Sequence, residues 1–234
     1  MIRLHVVVEG QTEETFVNRI LREPLAALGV YAYVRCVETS RTAVKVYRGG
    51  ARKYSKIRND LLRWMHQEQN NQEARFTTMI DLYRIPSDFP GRQNSKGLTD
   101  PAARVRALEE AFAIDIDHPR FVPYIQLHEF EALLLSDPAK FSGFCADPRF
   151  REPIGRLCNV VAQFPSPEMI NDGMETSPSK RIGKEITSYV KQKPVAALRI
   201  AADIGLATMR DKCSRFDAWM RRLELLVGPS DREV

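Results

Sequence analysis

No run of about 18 apolar residues occurs in this chain, so no segment of it is suited to span a bilayer as a helix. The amino terminus passes straight into an apolar segment without a signal-peptide pattern, which favours the cytoplasm. Cysteine is scarce. Cys36, Cys145, Cys158 and Cys213 stand far apart with no Cys-x-x-Cys pair, which argues against a structural zinc site or a disulfide framework. No internal repeat is visible. What remains is an ordinary composition, 44% hydrophobic and 28% charged over 234 residues, enough for one large α/β domain or a domain with a smaller appendage.

The most informative stretch is Ile2 to Thr15. Leu4, Val6, Val7 and Val8 form a nearly continuous apolar run, the pattern of a strand buried on both faces of a parallel sheet. Glu9 sits at its carboxyl end, Gly10 allows a sharp turn, Thr12 is a candidate N-cap, and Glu13 and Glu14 fall in the first turn of a helix. Acids in a first turn are ordinary dipole stabilisers, and Glu13 and Glu14 are open to that reading. Glu9 has no capping duty, and it lies near Glu13 across a single turn. Carboxylates that close repel unless a cation or a proton lies between them, and hard divalent cations prefer oxygen ligands.

Further along, the first helix runs to about Leu28, with Pro24 as a kink and Gly29 as its end. Val30–Val37 reads as a second strand, Arg41–Gly50 as a loop or hairpin, and Ser55–Gln69 as a helix with Ile57, Leu61, Leu62 and Met65 on one face. A third strand, Phe76–Asp81, again ends in an acid, which either belongs with Glu9 or merely starts a turn. Tyr83–Gly97, broken by Pro86, Pro90, Gly91 and Gly97, is a long loop that carries Asp88. A helix from Pro101 to Ala113 and a fourth strand, Phe121–Leu127, lead into His128-Glu129-Phe130-Glu131. If that segment is helical, His128 and Glu131 share a face; the alternative is a buried polar cluster.

From Ser136 onward strand signals vanish. Apolar spacing predicts helices around Ile154–Val161, Ile182–Val190, Ala196–Ile204 and Phe216–Leu223, with a long loop from Phe164 to Ser179. Lys180 and Arg181 stand where that loop meets a helix, either as an anion site or as solvated surface. The expected fold class is therefore α/β, a mostly parallel sheet flanked by helices over residues 1–135, with a helical part over 136–234 packed on it.

The net charge of +5 is unevenly spread. Between Arg41 and Arg63, eight basic residues (Arg41, Lys45, Arg48, Arg52, Lys53, Lys56, Arg58 and Arg63) face one acid, Asp60, a local +7. With Tyr47 and Tyr54 interleaved, this segment suits a nucleic-acid backbone, although many basic helix faces are only solvated. Arg41, Lys45, Arg48, Arg52, Lys53, Lys56 and Arg181 are the candidate contacts.

The run Val8-Glu9-Gly10-Gln11-Thr12-Glu13 resembles the first motif of Toprim domains, in the form carried by the overcoming-lysogenization-defect nucleases. With Asp81, His128-Glu129-Phe130-Glu131 and Ser179-Lys180-Arg181, the chain is similar to an uncharacterised bacterial family with a Toprim-like amino-terminal half. The resemblance implies a nuclease in which Glu9, Glu13 and Asp81 hold Mg²⁺ or Mn²⁺ and Glu129, Glu131 and Lys180 assist. It also implies action on DNA or RNA in phage defence or as a toxin, with an ATPase or a second copy of the chain as protein partner. Toprim domains usually carry Asp-x-Asp where this chain has Asp81-Leu82-Tyr83. Either Asp88 substitutes, or one ion binds, or the site has decayed in a non-catalytic nucleic-acid-binding or regulatory subunit. A topoisomerase or primase module would lack its additional domains.

Overall fold

The computed structural model describes residues 1–41, 46–48, 53–171, 173 and 175–228. The chain divides into two compact units, Met1–Ile125 with the residues from Arg221 onward, and Gln126–Met220. The fold is α/β, with a mostly parallel sheet flanked by helices.

In the first unit the apolar run becomes strand β1 (Ile2–Val8), inside a sheet whose strands in order are β2 (Val30–Cys36), β1, β5 (Ala74–Asp81) and β6 (Phe121–Val122). The neighbours of β1, strands β2 and β5, are both parallel to it. Helix α1 (Gln11–Phe16) continues through a π-helical segment, Val17–Leu21, into α2 (Arg22–Ala26). Pro24 has no N–H to give the carbonyl four residues back, and the widened turn lies just ahead of it. Gly29, at φ 80°, turns the chain, and its carbonyl accepts from Ile2 N.

At the segment read as loop or hairpin, β3 (Glu38–Arg41) pairs antiparallel with β4 (Val46–Arg48); residues 42–45, Gly49 and Gly50 lie outside the described residues. Helix α3 (Tyr54–Gln67) follows, burying Ile57, Leu61, Trp64 and Met65. After β5 the proline-rich stretch holds only a 3₁₀ turn, Leu82–Arg84, and the single-turn α4 (Arg92–Ser95). Helix α5 (Pro101–Ile116) starts with Pro101 in its first turn and Asp100 as N-cap, accepting from Ala102 N and Ala103 N.

The fourth strand is not continuous. Pro123 cannot donate to the ladder, and it parts β6 (Phe121–Val122) from β7 (Ile125–Gln126), which both pair with β5. Side chains bridge the gap. Thr77 Oγ1 donates to Val122 O at 2.6 Å, while Thr78 Oγ1 donates to Tyr124 O at 2.9 Å and accepts from Tyr124 N at 3.1 Å.

The second unit is helical: α6 (Glu131–Leu134), α7 (Phe141–Phe144), α8 (Arg151–Val161), α9 (Pro178–Glu185), α10 (Thr187–Lys191), α11 (Lys193–Ile204), α12 (Leu206–Lys212) and the part of α13 (Ser214–Glu224) up to Met220. The single helix expected across Ile182–Val190 is two. Ile186, at φ −132° and ψ 80°, breaks it, and it is followed by β-branched Thr187, which adds little helix preference to hold the turn. Among the described residues no helix is long and apolar enough to cross a membrane.

Two outcomes follow from the sheet. Thr78→Val removes both hydroxyl bonds to buried Tyr124 and should cost about 2 kcal/mol in urea unfolding, with Thr78→Ser losing less. His5 is buried on β1, and desolvation lowers its pKa from 6.5 to about 4. The unfolded chain then binds the extra proton between those values, so stability falls by roughly 3 kcal/mol as pH drops through that window. His5→Phe should flatten that part of the pH–stability curve.

Candidate functional site

The handover from β1 to α1 is set by backbone geometry. Gly10 is the N-cap, extended at φ −150°, and its carbonyl accepts from Glu14 N at 3.0 Å. The helix therefore starts at Gln11, which corrects the expectation for Thr12: it lies inside the first turn, buried, rather than at the cap. Glu13 is buried as well. Its Oε2 folds back so that a Cβ on Gly10 would stand 3.1 Å from it, so the missing side chain of Gly10 makes room for this carboxylate.

Strand β5 runs beside β1 in register from Arg3↔Ala74 to Val8↔Met79. Residues just past those ends are then neighbours. Glu9 N donates to Met79 O at 3.3 Å, and Asp81 N donates to Glu9 Oε2 at 3.3 Å. Asp81 is 6% exposed and the Glu9 side chain 13%. Arg84, on the 3₁₀ turn that follows, places Nε 3.8 Å from Glu9 Oε1. Glu9, Asp81 and Arg84 line a small cleft whose apolar wall is Ile80, Ile85 and Pro86. The structure thus brings Glu9 and Asp81 together at the carboxyl edge of the sheet, with Glu13 turned back over the same turn. Among the described residues no group of three His, Cys, Asp or Glu side chains stands in metal-holding geometry.

The remaining candidates have other surroundings. Asp88 Oδ1 accepts from Tyr54 N at 3.0 Å and so caps α3, whose own N-cap, Lys53, offers no side-chain bond. Lys53 and Lys56 are exposed at the start of α3. The side chains of Arg41, Lys45, Arg48 and Arg52 lie outside the described residues.

In the second unit, His128 is not helical. It has φ 65°, and α6 begins only at Glu131, so the shared helix face expected for His128 and Glu131 does not exist. A left-handed backbone at a non-glycine residue is held by its surroundings; here Asn171 Nδ2 lies 3.2 Å from His128 Nδ1. Glu129 accepts from Ser179 N at 2.9 Å and Ser179 Oγ at 3.0 Å, capping α9. Glu131 is fully buried, accepting from Tyr189 Oη at 2.9 Å and pairing with Lys193 Nζ at 2.6 Å. Lys180 is exposed. Arg181 Nε donates to Thr176 O at 2.6 Å, and its guanidinium lies over the Phe164 ring.

Sequence reasoning missed Asn171, Tyr189, Lys193, Arg84 and Glu168. Glu168 is buried, accepts from Arg215 N and Phe216 N at the start of α13, and has its pKa raised by desolvation. Only Arg84 carried a signal, as a cation three residues after a strand-terminal acid.

The Glu131–Lys193 pair gives a direct test of a structural role. Lys193→Met strands a buried carboxylate and should cost about 3 kcal/mol in urea unfolding at neutral pH. Adding Glu131→Gln to it should restore part of the loss.

A family model described as Domain of unknown function (DUF4276) matches residues 8–224. No curated protein and no solved structure matches the chain. The matched span takes in the Glu9–Asp81 edge and all of the helical unit, and the chain belongs to the DUF4276 family.

Proposed function

We propose that this chain is a Toprim-like, metal-dependent nuclease that hydrolyses phosphodiester bonds of DNA or RNA. The observation that carries the reading is the meeting of Glu9 and Asp81, 72 residues apart, at the carboxyl ends of adjacent parallel strands. Open α/β sheets bind ligands at that edge. Glu9, Glu13 and Asp81 offer carboxylate oxygens, the donor set of a hard divalent cation, and a cation between two such groups offsets their repulsion. When bound, Mg²⁺ or Mn²⁺ supplies Lewis-acid polarisation of a phosphodiester and a water of lowered pKa.

The chain's own residues supply the rest. Arg84, whose side chain is 61% exposed, can swing from Glu9 to a phosphate oxygen and offset charge that develops there. Ile80, Ile85 and Pro86 give the cleft an apolar wall beside these acids. Lys53 and Lys56 add sequence-independent contacts to the backbone of the strand. Glu129 and Glu131 have their charge met by Ser179 and Lys193 within the second unit, so the reading rests on Glu9, Glu13 and Asp81.

A second reading, a non-catalytic nucleic-acid-binding or regulatory subunit, is favoured by Asp81-Leu82-Tyr83 in place of Asp-x-Asp. Mn²⁺ titration separates the two. The nuclease should melt higher with Mn²⁺, by about 2.7 kcal/mol at a hundred times Kd. Glu9→Gln and Asp81→Asn should lose that shift and the cleavage while still melting cooperatively. No shift, together with intact single-stranded DNA, duplex DNA and RNA, leaves the binding subunit.

A further inference from the structure

A second site of different chemistry lies on the opening strands of the first unit. Alternation along β2 buries Val30, Ala32 and Cys36 and turns Tyr31, Tyr33 and Arg35 outward. The parallel register sets Tyr31 beside Arg3, Tyr33 beside His5 and Arg35 beside Val7. Tyr31 and Tyr33 are each 42% exposed, a large open area for two aromatic rings on one strand. Next to them is a cavity of about 390 Å³ lined by Arg3, His5, Arg22, Tyr33, Arg35 and Trp64 among others.

Its walls combine flat rings and guanidinium groups. The His5 ring lies 5.8 Å from that of Tyr33 and 4.4 Å from that of Trp64, the latter edge-on. The Arg35 guanidinium sits 4.1 Å from the Trp64 centroid, and that of Arg3 5.2 Å from Tyr33. Arg3 also pairs with Glu68 at 3.0 Å, the acid of this cavity. Three arginines against one glutamate leave the site positive. A ligand that matches it is planar at one end and anionic at the other.

An unpaired nucleotide has both properties. Bases in a duplex face one another and offer no free ring, whereas single strands are held by stacking on aromatic side chains and by a cationic track for the phosphates. Two tyrosines two residues apart on a strand stand about 6.6 Å from each other along it, which leaves room for successive splayed bases. We propose that the outward face of β2, together with Arg3 of β1, binds single-stranded nucleic acid, with Tyr31 and Tyr33 stacking bases and Arg3, Arg22 and Arg35 taking phosphates. The choice of nucleic acid over other planar anions rests on the nuclease reading, but binding here does not use the acids at the sheet edge.

The test is fluorescence anisotropy of labelled 12-nucleotide oligoadenylates, RNA and DNA, with the full chain in EDTA. The matching duplex and unlabelled AMP serve as comparisons. The single strand should bind at least tenfold tighter than the duplex, and AMP should compete only in large excess. Tyr31→Leu/Tyr33→Leu should weaken strand binding at least tenfold with cooperative melting retained, and Arg35→Gln should lessen the dependence on salt. A failed metal titration with intact strand binding removes the nuclease reading alone. Strand binding that is absent, no tighter than duplex binding, equalled by AMP or untouched by the tyrosine substitutions overturns the proposal.

Discussion

The parallel pairing of β1 with β5 is the constraint on which the rest of the first unit depends. Six paired positions, from Arg3↔Ala74 to Val8↔Met79, leave no freedom in where the two strands end. Side chains point alternately to the two faces, so a slip of one residue would reverse every contact of both strands. It would also separate Glu9 from Asp81. The pairing is itself braced from the far side of β5, where Thr77 and Thr78 hold the chain on either side of Pro123. Apolar burial in the sheet therefore sustains the register that brings the Asp81 N–H to the Glu9 carboxylate.

Several acids in this chain do a different job. Asp88 closes the start of α3, Glu129 that of α9 and Glu168 that of α13, each reaching a helix N-terminus from a distant segment. Amino-terminal N–H groups need acceptors and their dipole favours negative charge, so these carboxylates tie distant pieces of chain together. Glu131 answers the same need for compensation with a lysine. Glu9 is placed otherwise. It follows a strand, takes one N–H from the neighbouring strand's end and looks into a cleft with a mobile-length cation, Arg84, at its rim. The separation between capping acids and the Glu9–Asp81 edge is what gives that edge its claim to chemistry.

The sheet was legible because β1 is a nearly continuous apolar run and β5 is rich in β-branched and aromatic residues, and the helices because their apolar residues recur at helical spacing. Asp100-Pro101 announced α5 through local chemistry alone. Thr12 misled, since a hydroxyl just ahead of two glutamates looks like a cap, while Gly10 in an extended conformation let the helix begin sooner. His128 misled for a similar reason: a polar run before Ala132-Leu133-Leu134 has helical spacing, but the left-handed turn at His128 postpones the helix to Glu131. The partners of Glu129 and Glu131 were out of reach. They lie 50 or more residues away, and nothing local in the sequence pairs a glutamate with a particular serine or tyrosine that far along the chain.

Strand β1 also connects the two sites of the first unit. His5 lies under the stacking face and Glu9 at the strand's end, four residues on, and four residues of extended chain cover about 13 Å. A strand is stiff along its length when both neighbours pair with it, as β2 and β5 pair with β1, so that spacing is fixed by the sheet rather than by loops. On the proposed binding face, a short unpaired segment seated on Tyr31 and Tyr33 would have its phosphates carried along the strand direction by Arg3 and Arg35. Under the two proposals, the same rigid strand would set how far a phosphate at the Glu9–Asp81 edge can lie from the last stacked base, which is the kind of positioning that lowers the entropic part of a barrier.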